Sequence, residues 1–212
     1  MREIDLQSWP RRQHFEFFRS FDHPHFNVCA NVEMTAFYPA VKQRRVSFTI
    51  AFVYVITRAA NDIPEFRYRI RGDKVVEHEF VNASTTILTN DDLFSFCPFK
   101  YCEDFTQFAQ AAAHMIAQVK YQPTLEDEPG QDNVLFMTSI PWVSFTGVMH
   151  PLNLQSPDSI PRLAWGKYFK EGDKLKIPLS VHAHHALVDG VHVGRFYEAV
   201  QLYLDQPELY LG

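Results

Sequence analysis

Apolar positions recur along this chain with the periods of both helices and strands. Pro10 favours the first turn of a helix, while Thr35 and Ser47 are candidate caps for two more. The segment after Ser47 is apolar on nearly every side and therefore predicts a largely buried helix. From first to last, helices are predicted at residues 10–18, 35–41, 48–61, 105–119 and 191–204.

Strands are predicted where apolar positions alternate or run continuously for a few residues. They are expected at residues 26–34, 74–79, 84–89, 134–139, 162–169 and 175–182. Gly72 and Asp73 supply the turn of a hairpin-like segment that includes the second and third of these strands. Proline-containing stretches at 121–132 and 146–161 predict loops. The mixture predicts an α/β fold in a single domain, residues 1–212, without the regular alternation of a doubly wound sheet.

Composition narrows the class of protein. The net charge of −5 and the absence of a basic stripe argue against a nucleic-acid partner, and the arginines at 11–12 and 67–71 are expected at the surface or in ion pairs. The amino terminus lacks the apolar core of a signal peptide, and the longest apolar stretch is too short to span a membrane. Cys29, Cys97 and Cys102 are odd in number and lack metal-type spacing, which indicates reduced thiols and a cytoplasmic protein.

Aromatic residues are abundant, with 19 phenylalanines and nine tyrosines. Two interpretations stay open at this point. The rings can fill a bulky core, or some of them can line a pocket for an apolar or aromatic ligand.

Histidines crowd the carboxyl end of the chain, at positions 182, 184, 185 and 192. If residues 182–185 end a strand, His182 and His184 share one face and His185 points to the other. A zinc site is an alternative, but no carboxylate or cysteine completes a recognised ligand spacing. We therefore predict no metal site.

One motif gives these histidines a chemical meaning. His184-His185 is followed after three residues by Asp189-Gly190, between a predicted strand and a predicted helix. With this motif the chain resembles the chloramphenicol acetyltransferase family, and more weakly the acyltransferase cores of 2-oxo-acid dehydrogenase complexes. The resemblance covers nearly the whole chain and includes residues 9–16, 64–67, 141–146 and 166–174.

The resemblance implies a fold and an activity. The fold is a two-layer mixed β-sheet flanked by helices, the CoA-dependent acyltransferase fold. The activity is transfer of an acetyl group from acetyl-CoA, as co-substrate, to a hydroxyl of an acceptor such as chloramphenicol. Family members are linked to antibiotic resistance and form homotrimers with each active site at a subunit interface.

The resemblance also implies residue roles. His185 is the general base, and a neutral imidazole suits that task at physiological pH. Asp189 pairs with Arg11 and holds the catalytic segment in shape, so removing one partner of this buried pair is expected to cost about 3–5 kcal/mol. Gly190 is expected at a tight turn where a side chain would collide.

Two positions depart from the family pattern. Gly147 stands where the family has a serine, and Ala164 where it has a threonine, so two hydroxyls that assist the reaction are absent. Three explanations stay open: the Thr146 hydroxyl or the Gly147 N–H replaces them, the acceptor differs from chloramphenicol, or most activity is lost. In the last case the protein would bind an aromatic ligand or CoA without efficient transfer.

The same alignment implies binding residues. The acceptor wall is expected to contain Phe18, Phe26 and Phe94, with Cys29 and Thr85 nearby, although core packing is an equally simple explanation for each. The coenzyme is expected near three further residues, Trp142, Lys167 and Tyr168.

Overall fold

A mixed seven-stranded sheet forms the frame of the chain. The computed structural model describes residues 1–89, 92–126, 130–153 and 158–212. The strands are β1 (Arg2–Glu3), β2 (His25–Glu33), β3 (Tyr68–Arg71), β4 (Lys74–Glu77), β5 (Asn82–Leu88), β6 (Phe94–Phe99), β7 (Val134–Ile140), β8 (Arg162–Gly166), β9 (Phe169–Glu171) and β10 (Lys174–His184). In the large sheet the order is β2-β10-β8-β7-β5-β6, with β9 also paired to β10, and β1-β4-β3 form a small sheet.

Strand β7 gives the large sheet its mixed character. It runs parallel to both of its neighbours, β5 and β8, whereas the other pairs are antiparallel. The helices are α1 (Arg12–Phe18), α2 (Phe37–Gln43), α3 (Phe48–Asn61), α4 (Phe105–Tyr121), α5 (Gly190–Asp205) and α6 (Pro207–Tyr210), and a 3₁₀ turn covers Pro64–Arg67. No helix in the described part of the chain is long and apolar enough to cross a membrane.

Helix α3 has the bounds that its sequence predicts, and ten of its residues are buried. The cap predicted for α2 is wrong. That helix begins at Phe37, after Ala36, and the Thr35 hydroxyl instead accepts a hydrogen bond from the Leu175 N–H at 2.9 Å. Thr35 therefore joins the start of β10 to the end of β2.

The predicted hairpin is wrong in its pairing. Gly72, with φ +60°, turns the chain between β3 and β4, whereas β5 belongs to the other sheet. Strand β3 escaped prediction because two of its four residues are arginines. One of them, Arg69, is 1% exposed and donates to four backbone carbonyls, which differs from the surface or ion-pair position expected for it.

The two faces of the large sheet differ in chemistry, because alternate residues of a strand point to opposite sides. On one side, in-register rows such as Val28, Val181, Leu163 and Met137 lie in the core, where Phe52 of α3 meets Trp165 and Phe108 of α4 meets Phe99. We call this the helix-covered face. The opposite side, the polar face, carries the row Asn27, His182, Arg162, Phe136 and Ser84.

Candidate active site

The end of β10 separates its histidines onto two sides. His184 pairs in register with His25 and His182 with Asn27, so both lie on the polar face. The chain then leaves the strand, and the His185 N–H donates to the Pro24 carbonyl at 2.8 Å. His185 points away from its neighbour, as the alternation predicts.

Two phenylalanines hold the His185 ring. Phe18 stacks on it with centroids 4.1 Å apart and planes 6° from parallel, and Phe26 packs against it at 4.6 Å. Nδ1 lies 3.1 Å from Asp189 Oδ1, but no described group makes an aligned hydrogen bond with it. Nδ1 is buried while a third of the side chain is exposed, which leaves Nε2 as the nitrogen that a substrate can reach.

Arg11 and Asp189 form a two-pronged ion pair across 178 positions of sequence. Nη1 contacts Oδ2, Nη2 donates to Oδ1 at 3.1 Å, and Nη2 also donates to the His185 carbonyl at 3.2 Å. Burial alone would raise the pKa of the Asp189 carboxyl, but the hydrogen bond and charge of Arg11 hold it below its ordinary value. The pair therefore clamps both ends of residues 185–189.

Two further histidines fix the same segment. His184 Nδ1 accepts from the Ala186 N–H at 3.2 Å, and His192 Nδ1 accepts from the Asp189 N–H at 2.8 Å. Burial lowers the pKa of both rings, that of His184 to about 4, so both are neutral at pH 7. The role of His192 was missed, although Asp189-x-x-His192 has the spacing of a capping box at the start of α5.

The collision predicted at Gly190 is wrong. A Cβ there would meet no described atom within 4 Å, and the residue does not have a positive φ. Gly190 starts α5 and leaves open space beside residues 185–189. Gly147 is equally open.

A cleft lies on the polar face of the large sheet. It consists of two adjoining cavities of about 280 Å³ and about 410 Å³, which share Thr86, Phe94 and Thr138 in their linings. Trp142 lines the larger cavity and His150 the smaller. Within the described residues, His185 belongs to neither lining. Within one chain, the candidate base therefore does not line the cleft.

The structure divides the predicted acceptor wall. Phe18 and Phe26 lie at His185, whereas Phe94 lies in the cleft. Cys29 lies on the polar face opposite Ser180, and burial raises the pKa of its thiol. Thr85 is 1% exposed and does not line the cleft, whereas its neighbours Ser84 and Thr86 do.

The predicted coenzyme residues surround the loop that follows β7. The Lys167 N–H donates to the Val143 carbonyl at 2.8 Å. Gly166 makes this approach possible, since a Cβ there would lie 2.6 Å from the same carbonyl oxygen. Trp142 is 66% exposed and Tyr168, packed on Tyr38, is 44% exposed, so both rings are available to a ligand.

The two positions that depart from the family pattern lie in different surroundings. Thr146 and Gly147 are exposed in the same loop, whereas Ala164 is fully buried in β8, in register with Thr138. No group of three or more His, Cys, Asp or Glu side chains among the described residues is arranged to hold a metal ion.

Comparison with known proteins places these features in a family. The sequence model of a family described as chloramphenicol acetyltransferase matches residues 1–201. A chloramphenicol acetyltransferase from Proteus mirabilis is 33% identical over 96% of this chain and 94% of its own length, and one from Klebsiella sp is 32% identical over 96% and 93%.

A solved structure named chloramphenicol acetyltransferase superposes with a TM-score of 0.85 at 28% identity, covering 96% of this chain and all of the other. The predicted fold, a mixed sheet flanked by helices, is confirmed by this likeness and by the observed topology.

Proposed function

The chain belongs to the chloramphenicol acetyltransferase family, and we propose on that basis that it transfers an acetyl group from acetyl-CoA to a hydroxyl of an acceptor such as chloramphenicol. The single observation that carries the proposal is the His185 ring, held between Phe18, Phe26 and Asp189 with its Nε2 side open. An imidazole so placed is a suitable general base.

The reaction then follows from elementary chemistry. His185 Nε2 takes the hydroxyl proton while the acceptor oxygen attacks the thioester carbonyl carbon. The resulting tetrahedral intermediate collapses, its C–S bond breaks, and the imidazolium returns the proton to the departing CoA sulfur. The products are the acetyl ester and free CoA, and the base is regenerated.

Arg11 and Asp189 position the base in this scheme and do not relay a proton. Their ion pair also holds the His185 carbonyl. The negative charge that develops on the carbonyl oxygen needs a donor, and we assign it to the Thr146 hydroxyl or the Gly147 N–H. Both residues are exposed and are therefore open to a bound substrate.

We further propose a homotrimer in which His185 of one subunit faces the cleft of its neighbour. The separation of His185 from the cleft in one chain supports this arrangement. So does the apolar rim of the cleft, where Leu88, Phe94 and Trp142 are each at least 45% exposed. The acceptor would lie against Phe94, and CoA against Trp142, Lys167 and Tyr168. A cytoplasmic location and a single domain also stay predictions.

A second candidate function rests on the two missing hydroxyls. With glycine at 147 and alanine at 164, the protein would bind an aromatic acceptor or CoA and transfer acetyl groups slowly. The acyltransferase proposal is preferred because His185, Asp189 and Arg11 are all present and in contact.

A thiol-release assay with acetyl-CoA and a panel of hydroxylated acceptors tests both candidates. We expect wild-type protein to release CoA with at least one acceptor, and His185→Ala to abolish release. His114→Ala, at an exposed position of α4, is the matched control and should retain full activity. Unchanged transfer by His185→Ala would refute the base, and tight chloramphenicol binding without CoA release would favour the binding protein.

A further inference from the structure

Four histidines form a continuous row on and above the polar face. Going outward from the catalytic segment, ring centroids are 4.9 Å apart between His184 and His25, 5.3 Å between His25 and His182, and 5.7 Å between His182 and His150. The last two rings stack, with their planes 15° from parallel. We call these four residues the histidine row.

The rings of the histidine row are neutral at pH 7. Burial lowers the pKa of His184, His182 and His150 to about 4 and that of His25 below its ordinary value. A neutral imidazole has one nitrogen that donates and one that accepts. Both nitrogens of His150 are buried, and neither has a hydrogen-bond partner among the described residues.

His150 brings this hydrogen-bonding capacity to the smaller cavity of the cleft. Three aromatic rings line that cavity, those of Phe94, Phe96 and Phe136. Its other polar groups are already engaged. Thr86 and Thr138 share a hydrogen bond of 2.8 Å, and Ser84 also has a partner.

Arg162 is engaged as well. Its guanidinium pairs with the Asp158 carboxylate and donates to the Ile160 carbonyl at 3.1 Å. The charge of Arg162 is therefore balanced within the chain. A charged group buried in this cavity would find no counter-ion among the engaged groups, and burying an unpaired charge is costly.

We propose that His150 determines acceptor specificity: its neutral imidazole hydrogen-bonds an uncharged hydroxyl or amide of an acceptor whose apolar body lies between the aromatic rings of the smaller cavity. This inference rests on the proposed function, because it assigns the cleft to the acceptor. It predicts that the acceptors are uncharged apolar or aromatic alcohols. Carboxylates and amines of the same size and shape are excluded.

Kinetics of His150→Phe and His150→Gln test the inference. Phenylalanine keeps the stacked ring but removes both nitrogens, so we expect the KM for an aromatic alcohol such as chloramphenicol to rise roughly tenfold, as for loss of one hydrogen bond. The kcat and the KM for acetyl-CoA should stay near wild-type values. Glutamine restores a donor and an acceptor, and should recover much of the affinity. His114→Phe on α4 is the matched control.

The outcomes separate this inference from the proposed function. Wild-type transfer combined with an unchanged acceptor KM in His150→Phe overturns the role of His150 alone, as does equal activity toward a carboxylate analogue. If wild type transfers to no acceptor, the proposed function fails, and the Kd of chloramphenicol without CoA still tests His150. If His150→Phe does not fold, His150→Leu takes its place in the assay, because leucine also lacks both ring nitrogens. An acceptor KM that stays raised in His150→Gln also contradicts the proposal.

Discussion

At the scale of single residues, Gly147 offers the sharpest test of catalysis. A Cβ at this position meets no described atom within 4 Å, so a serine side chain fits without strain. We expect Gly147→Ser to raise kcat for acetyl transfer about tenfold or more, because an oxyanion donor is commonly worth about 10²–10³ in rate. The thiol-release assay at saturating acetyl-CoA measures the change.

Gly147→Ala supplies the control for that substitution. It adds the same Cβ without a hydroxyl, and its rate should match wild type. Equal gains in the alanine and serine variants would show that backbone stiffening, not the hydroxyl, is responsible.

Contacts between distant residues were predictable only where a family motif implies which side chains meet. Arg11 and Asp189 lie 178 positions apart, and only the family resemblance suggested that they meet. Thr85 shows where prediction from the sequence fails. In the run Ser84-Thr85-Thr86 a shift of one residue exchanges the two faces of the sheet, and three similar polar side chains give no apolar alternation from which to choose. The role of His150 depends on rings from distant strands, which no local pattern reveals.

At the scale of elements, the histidine row makes stability depend on pH. The folded pKa of His150, His182 and His184 is lowered to about 4, against about 6.5 in an unfolded chain. Between these values the unfolded chain binds more protons, so the free energy of unfolding is greatest above about pH 6.5 and falls as the pH drops toward 4. Urea unfolding at several pH values measures this slope.

A variant isolates the histidine contribution. His182→Phe keeps the aromatic stack but removes a titrating group, so we expect a smaller loss of stability between about pH 6.5 and 4 than in wild type. The Asp189 carboxyl acts in a different pH window, because its lowered pKa contributes stability that is lost only as the pH falls below about 4. An unchanged slope in His182→Phe, with His114→Phe as control, would assign the effect to other groups.

Strand β8 and the loop after β7 approach each other so closely at Gly166 that no side chain fits there. A Cβ at Gly166 would lie 2.6 Å from the Val143 oxygen and 2.8 Å from Pro178 Cγ. We expect Gly166→Val to cost about 1–3 kcal/mol in unfolding free energy, as overpacking usually does. Thermal unfolding measures it. Gly194→Ala, in open space within α5, should instead stabilise the protein by about 0.5–1 kcal/mol, and a fall in Tm there would contradict the steric argument.

Elements were predictable in proportion to the clarity of their apolar pattern. Helix α3 is apolar all round and both of its ends were predicted. Strand β6 was missed, because Pro98 and Cys97 interrupt the alternation of its phenylalanines. Strand β3 was missed because Arg69 is buried. Its guanidinium donates to backbone carbonyls of distant residues, a tertiary contact that a hydropathy pattern does not reveal.

At the scale of the whole molecule, the proposed trimer predicts complementation between inactive subunits. His185→Ala lacks the base, and Phe94→Arg would obstruct the cleft at a half-exposed position. Mixed by unfolding and refolding in equal amounts, the two variants should recover about one quarter of wild-type activity, because random assortment joins an intact base to an intact cleft at about one interface in four.

Light scattering during size-exclusion chromatography supplies the control, since each variant must retain the trimeric mass. Trimers that mix but regain no activity would place the whole site within one subunit. A monomeric wild-type protein with full activity would contradict the interface arrangement directly.

The pairing of β2 with β10 has a consequence for how the protein is made. Asn27 and Ser180, which meet across this pair, lie 153 positions apart in the chain. At about 5–20 residues per second, the ribosome delivers β10 roughly 7–30 seconds after β2. Through that interval the apolar residues of β2 face the nascent chain without their neighbour in the sheet. The first strand of the large sheet therefore depends on the last one synthesised, and its protection meanwhile falls to early helices or to a chaperone.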